Sequence, residues 1–181
     1  MRQGRSRISS GVGGALLCLL AGCGSRGEDG AAERVRSPRI AEGARALIES
    51  APLIVTAEVA DVATGRTTEG LAFEDVRLAI ARTLKGPIRE TVTIEQANPG
   101  GRVLGAPSFA TGEKYLLLLR PSRTEAERHV PVPQGIYVLR NGRAEAMQPG
   151  PVADAWDGAL VDDLLAEIGS IVNASSRNPP P

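Results

Sequence analysis

The chain has 181 residues, of which 21 are Lys or Arg and 21 are Asp or Glu, so its formal net charge is zero. This balance argues against a nucleic-acid partner, because neutralising a phosphate backbone needs a clustered excess of basic side chains. Aromatic residues make up 3% of the chain, and any hydrophobic core must therefore be built mainly from Leu, Val and Ile.

The N-terminus has the three parts of an export signal. Its positive charges are Arg2, Arg5 and Arg7, and an apolar stretch over residues 12–20 follows. Leu20-Ala21-Gly22-Cys23 then places small residues before a cysteine. This motif resembles the lipobox of bacterial lipoproteins, which implies a signal peptide over residues 1–22 and a lipid-modified N-terminus at Cys23 with palmitate-type chains. The alternative is an ordinary signal peptide with a cysteine there by chance.

Cleavage before Cys23 changes the chemistry left to the rest of the chain. Cys18 leaves with the signal peptide and Cys23 is acylated, so no thiol remains for a disulfide, a redox motif or a metal site. The remainder has 18 basic and 21 acidic residues, a net charge of −3. Two or three acyl chains anchor a protein stably. In the Gram-negative lipoproteins that this motif resembles, an aspartate after the cysteine often signals retention in the inner membrane. Here Gly24 follows the cysteine, so we expect an outer-membrane anchor that faces the periplasm or the cell surface.

Composition and patterning divide the chain into four segments. They are a signal peptide at 1–22, a lipidated N-terminus and flexible tether at 23–38, a β-barrel domain with a C-terminal helix at 39–172, and a disordered tail at 173–181. Residues 40–49 have a short helical pattern that Pro52 ends. Trp156, Leu160, Leu164, Ile168 and Val172 recur every four residues, which predicts one amphipathic helix over 154–172.

Alternating apolar and polar residues predict six strands. They are residues 53–62, 71–84, 91–96, 115–119, 136–140 and 143–147. In the first, one face is predicted to hold Leu53, Val55, Ala57, Val59 and Asp61. The run 115–119 is apolar throughout, as expected of a strand buried on both faces, and Asn141-Gly142 is typical of a type I′ hairpin. Together these elements predict a mainly β protein, a small antiparallel barrel with a C-terminal amphipathic helix.

Six short segments carry a family resemblance. They are Ala51-Pro52-Leu53-Ile54-Val55, Val76-Arg77-Leu78, Thr83-Leu84-Lys85-Gly86, Gly100-Gly101, Gly112-Glu113-Lys114-Tyr115-Leu116-Leu117 and Gln134-Gly135-Ile136-Tyr137. They cover residues 50–147 and resemble the tissue-inhibitor-of-metalloproteinases and netrin-like modules, which implies an OB-like barrel. Inhibitors of that family place a free N-terminal cysteine on a protease zinc. Here Cys23 is predicted to be acylated and the family's disulfides are absent, so the activity does not carry over.

Each candidate for site chemistry has a simpler interpretation. His129, the only histidine, could be a general base, but Glu127-Arg128-His129 is typical of a solvated charged loop. Asp162-Asp163 and Glu74-Asp75 are paired acids whose side chains diverge on a helix or a strand, so we expect no metal site at either pair, and Asp162-Asp163 suits a solvated helix face. Gly100-Gly101-Arg102 with Gly105 suits a loop better than a phosphate cradle, and Trp156 suits a core anchor. No catalytic residue, metal or cofactor is therefore expected.

The loop over residues 97–112 is the predicted contact surface. It is long and mostly uncharged, and its candidate contact residues are Arg102, Val103, Leu104 and Phe109. Such a loop suits a protein contact; the alternative is a loop packed on one barrel end with Phe109 buried. The chain is thus interpreted as a monomeric, non-enzymatic, lipid-anchored interaction module that meets another envelope protein through this loop or an exposed sheet face. A protease inhibitor or an envelope hydrolase is the alternative.

Overall fold

The computed structural model describes residues 38–66, 72–97, 107–123, 125 and 127–177. The predicted signal peptide, Cys23 and most of the tether lie outside the described residues. So do the Gly100-Gly101-Arg102 motif and Val103, Leu104 and Gly105 of the predicted contact loop. The described residues all belong to the unit Val35–Pro181.

Six strands and three helices form in the order α1, β1–β6, α2, α3. The strands are β1 Leu53–Arg66, β2 Ala72–Lys85, β3 Thr91–Ala97, β4 Lys114–Pro121, β5 Arg128–Arg140 and β6 Arg143–Ala146. The helices are α1 Pro38–Ser50, α2 Pro151–Trp156 and α3 Val161–Arg177. All six predicted strands are present. β5 differs most, since it begins eight residues before the predicted start at position 136.

The strand order closes a five-stranded barrel. Neighbouring strands follow the order β3-β2-β1-β4-β5, and an additional pairing joins β3 back to β5. This closing pair is parallel and comprises Thr93↔Arg128 and Ile94↔His129, whereas the other strand pairs are antiparallel. The fold is therefore mainly β with a small OB-like barrel and a C-terminal helix, as the sequence predicts.

Inward-facing residues of all five strands fill the barrel. This interior core contains Leu53, Val55, Ala57, Val59, Val76, Leu78, Val92, Ile94, Phe109, Tyr115, Leu117, Leu119, Ile136 and Val138. Because side chains alternate along a strand, the residues between them face away from the interior. Most of the core is Val, Leu and Ile, in agreement with the low aromatic content.

A second core lies between the outside of the barrel and the three helices. It contains Ala44, Ile48, Ala51, Ile54, Leu116, Leu118, Val132, Tyr137, Ala144, Val152, Trp156, Leu164 and Ile168. Leu116 and Leu118 belong to this core, while Leu117 and Leu119 belong to the interior one. β4 is therefore buried on both faces, which confirms the prediction from its continuous apolar run.

A β-bulge at Ala60 changes which side chains of β1 face outward. The register with β2 runs from Val59↔Leu78 directly to Asp61↔Arg77, so β1 contains one extra residue. A bulge interrupts the alternation of faces. Asp61 therefore faces outward together with Arg77, and the prediction that Asp61 shares a face with Val59 is wrong.

The single helix predicted over residues 154–172 is in fact two helices, α2 and α3. Gly158 lies between them with φ of 71°, a left-handed conformation that a right-handed helix cannot contain. Leu160 lies outside both helices and is 51% exposed, so it does not belong to the apolar stripe. α3 continues through residues 173–177, which the sequence assigns to a disordered tail.

The turn between α2 and α3 covers the free edge of β6. Ala144 N donates a hydrogen bond to Ala159 O at 2.9 Å, and Gly158 N donates one to Ala144 O at 2.7 Å. Ala146 N donates to the Asp157 carboxylate at 2.9 Å. These bonds use backbone groups that an exposed edge strand would offer to another chain. Among the described helices, none is long and apolar enough to cross a membrane.

Candidate functional site

Phe109, in the described part of the predicted contact loop, packs against the barrel. Phe109 is 7% exposed and its ring lies 5.0 Å from that of Tyr115, centroid to centroid. The Tyr115 hydroxyl donates to Glu113 at 2.6 Å and accepts a hydrogen bond from Ala110 N at 3.3 Å. The prediction of Phe109 as an exposed contact residue is therefore wrong, and the alternative of a buried Phe109 is confirmed.

His129 is not a solvated loop residue. It lies in β5 and is 6% exposed, because β5 begins before the segment that the sequence assigns to a charged loop. Its register partner on β3 is Ile94, a member of the interior core. Side chains in register share a face of the sheet, so the imidazole faces the interior and does not line any outer-face site.

Two other sequence interpretations hold. Asp162 and Asp163 are both exposed in the first turn of α3. Trp156 is fully buried as a core anchor, and its Nε1 donates to Glu167 at 3.3 Å. In the part of the chain that the structure describes, no group of three or more His, Cys, Asp or Glu side chains is arranged to hold a metal ion.

A cavity of about 420 Å³ lies on the outer face of β1, β2 and β3, where the β4–β5 loop meets it. Its lining residues are Asp61, Ala63, Asp75, Arg77, Thr93, Glu125, Glu127 and Arg128. Its size is within the range of ligand pockets. We refer to this site as the strand-face cavity.

The bulge at Ala60 and regular strand alternation together build the strand-face cavity. Asp61 and Ala63 face outward only because the bulge shifts the phase of β1. Their partners Arg77 and Asp75 are two residues apart on β2 and so share that face. Sequence analysis missed the site because regular alternation, which assumes no bulge, places the Asp61 side chain on the inward face.

Arg128 is the centre of the ion pairs in this cavity. Its guanidinium lies 2.9 Å from Asp75, 2.9 Å from Glu125 and 3.7 Å from Glu95. It also lies 5.4 Å from the ring centroid of Phe73, a cation–π distance. The Arg128 side chain, on β5, thereby makes contacts with β2, β3 and the β4–β5 loop.

Phe73 reaches this position because Gly65 lies opposite it. Gly65 and Phe73 are register partners on β1 and β2. A Cβ at Gly65 would be 2.5 Å from the Phe73 ring, which is too close for the ring to stay in place. The glycine thus lets the aromatic ring lie flat across β1, where it supports Arg128.

The strand-face cavity is polar and has an excess of negative charge. Four carboxylates line it, against two guanidinium groups. In addition, Asp75 Oδ1 is buried without a hydrogen-bond partner among the described residues. Such a surface favours a cationic group with its own hydrogen-bond donors over a phosphate.

No protein-family profile matches the chain, and no curated protein sequence matches it.

Proposed function

We propose that this protein is a lipid-anchored interaction module of the bacterial cell envelope, which binds a partner protein at the strand-face cavity. The observation that carries the proposal is the cavity itself, with four carboxylates and two guanidiniums on one outer face of the barrel. Charged side chains on a rigid scaffold suit selective contact with another protein, because complementary charges set specificity and steer association.

The charge of the cavity supports a basic partner. Negative lining residues exceed positive ones by two, and Asp75, Glu95 and Glu125 already share Arg128. Asp61 and Glu127 are exposed lining acids. A partner that presents Lys or Arg to these two acids gains charge-assisted hydrogen bonds.

The envelope location is proposed from the sequence. The basic start, the apolar run and Leu20-Ala21-Gly22-Cys23 match a lipoprotein signal. Labelled fatty acid should enter the wild-type protein and should not enter Cys23→Ala, which should also leave the membrane fraction. Labelling of the Cys23→Ala protein would contradict the anchor without bearing on the cavity.

Site-specific photocrosslinking tests the binding surface. A photoreactive residue at Ala63, which is exposed and lines the cavity, should capture a specific envelope protein in living cells. The same residue at Ala46, exposed on α1, is the control and should capture none. Replacement of Arg102, Val103 and Leu104 together by Ser tests the loop as the competing surface. Crosslinks lost with the loop variant, but kept with cavity variants, would contradict the proposal.

Charge removal at the cavity tests the chemistry. Asp61→Asn with Glu127→Gln removes two exposed charges from the cavity and should reduce crosslinking at Ala63 by tenfold or more, on the order of 1.4 kcal/mol. Asp162→Asn with Asp163→Asn removes the same charge from α3 and should leave it unchanged. Equal effects of the two double variants would show that net charge alone, rather than the cavity, governs binding.

A further inference from the structure

His129 occupies the position at which the barrel closes. Its register partner is Pro121 on β4, and on the other side it pairs with Ile94 on β3. The parallel pairing of β3 with β5 comprises only Thr93↔Arg128 and Ile94↔His129. We call these two residue pairs the closing seam. The seam is short, so a small unfavourable change at His129 acts on a large share of the interactions that close the barrel.

The imidazole of His129 is buried, and the described residues offer no partner to one of its two nitrogens. His129 is 6% exposed, and its Nδ1 is buried with no hydrogen-bond partner among the residues that the structure describes. Its neighbours in register, Ile94 and Pro121, have no polar side-chain atom to offer. A buried charge without a partner is unfavourable, so the closed seam disfavours protonation of the ring.

Among the residues that the structure describes, no carboxylate is found to favour a proton on this ring. From the β2–β3 turn, Arg89 acts on the imidazole with a charge of the same sign. On β3, Glu95 pairs with Arg128, and on the β4–β5 loop Glu125 does the same. On β5 itself, Arg128 faces the strand-face cavity on the opposite side of the sheet. On β4, Arg120 is exposed and of the same sign.

We propose that His129 is a pH-sensitive latch of the barrel, whose protonation opens the closing seam between β3 and β5. The latch is independent of the function proposed above. Its effect on partner binding rests on that function: because Arg128 is adjacent to His129, an open seam displaces the arginine that holds Asp75 and Glu125 in the cavity wall.

The direction of the response follows from linkage. Burial, with a smaller contribution from Arg89, lowers the pKa of His129 from its ordinary value of 6.5. The open seam lets the ring bind a proton near that ordinary value, whereas the closed seam resists it. Closure is therefore fully favoured above about pH 6.5 and weakens as the pH falls from there towards the lowered pKa.

Two measurements on the full chain, purified in detergent without a histidine tag, test the latch. Since the chain has one histidine, its imidazole NMR signals report this site alone and should titrate below 6.5. Hydrogen exchange, corrected for the intrinsic pH dependence, should accelerate at residues 93–94 and 128–131 between pH 7 and pH 5. Residues 55–59, on β1, which pairs with neither β3 nor β5, should remain protected over the same range.

Variants separate the latch from general acid sensitivity. His129→Leu should hold the seam protected at pH 5, whereas Glu90→Gln, on the same turn as Arg89, should behave as the wild type. Arg89→Gln, in an exposed turn, should raise the pKa of His129 and move the opening to higher pH; it also serves if His129→Leu does not fold. An imidazole that titrates at 6.5 or above, opening that persists in His129→Leu, or uniform acceleration of exchange in all strands would overturn the proposal.

Discussion

The ring of Tyr137 packs against the indole of Trp156, with centroids 5.8 Å apart and ring planes inclined by 56°. Tyr137 lies on the outer side of β5 and Trp156 ends α2, so this contact joins the barrel to the helices. Both side chains are fully buried. The tilted geometry is favourable for two aromatic rings and adds to the burial of their apolar surface.

Trp156→Ala should therefore lower the free energy of unfolding by about 3–5 kcal/mol, because the core between helices and barrel loses a large, fully buried side chain. Urea denaturation followed by circular dichroism measures this loss. Glu167→Gln keeps an acceptor for the indole Nε1 and is the control, with a small expected change. As the only tryptophan, Trp156 should also emit to the blue of free tryptophan. A cost under about 1 kcal/mol would contradict the burial.

Glycines at two positions should respond in opposite directions. A Cβ at Gly135 would lie 2.6 Å from Val132 and 2.8 Å from Leu118, so Gly135→Ala should destabilise the protein by about 1–3 kcal/mol through overpacking. A Cβ at Gly169, inside α3, meets nothing within 4 Å. Gly169→Ala should stabilise by up to about 1 kcal/mol, since alanine favours a helix interior. Thermal melts of both variants measure the contrast, and equal shifts would refute it.

The two tyrosines of the chain should ionise at a higher pH than a free tyrosine. Burial first, and then the neighbouring Glu113, raises the pKa of Tyr115 to about 12, and burial with Asp154 and Asp157 raises the pKa of Tyr137 as well. Folded-state pKa values above the unfolded value of about 10 give stability that is present below pH 10 and lost as the pH rises through about 12. Ultraviolet absorbance should show little tyrosinate until the protein unfolds.

Glu113→Gln tests whether the charge of Glu113 contributes to the raised pKa of Tyr115. It keeps a hydrogen-bond acceptor for the Tyr115 hydroxyl but removes the charge, so the pKa of Tyr115 should fall. The pKa of Tyr137, which lies in the other core, should stay the same. An unchanged titration of both tyrosines would show that burial alone is responsible.

The Arg128–Asp75 ion pair should contribute measurably to stability. Its 2.9 Å separation and partial burial predict a coupling energy of about 0.5–1 kcal/mol in a double-mutant cycle of Arg128→Met and Asp75→Asn. High salt should reduce the coupling, because both side chains keep some contact with solvent. Chemical denaturation at two salt concentrations measures it. Additive effects of the two substitutions would contradict the pairing.

Local patterns were sufficient for most secondary structure. The apolar run from Tyr115 to Leu119 predicts a strand buried on both faces, which requires only that neighbouring side chains point in opposite directions. Asn141-Gly142 predicts a type I′ turn, and the φ angles of 51° and 74° confirm it. In both cases the property depends on adjacent residues alone.

The predictions that proved wrong concern properties that adjacent residues do not determine. Trp156, Leu164 and Ile168 continue one apolar period across the break at Gly158, because both helices pack on the same barrel surface. Periodicity therefore could not reveal that α2 and α3 are separate. His129 follows two charged residues, which predicts an exposed loop position, but pairing of β5 with β3 and β4 buries it.

By itself, the sequence determined the composition of the core, most strand positions and the barrel class, since these depend on short-range alternation and on which residues avoid water. Tertiary structure alone decided the strand-face cavity and the closing seam. The bulge at Ala60 turns Asp61 outward only in register with β2, and Arg128 meets Asp75 and Glu95 only once β5 closes against β3. Contacts between residues so far apart in the chain are set by strand order and register, which no local pattern encodes.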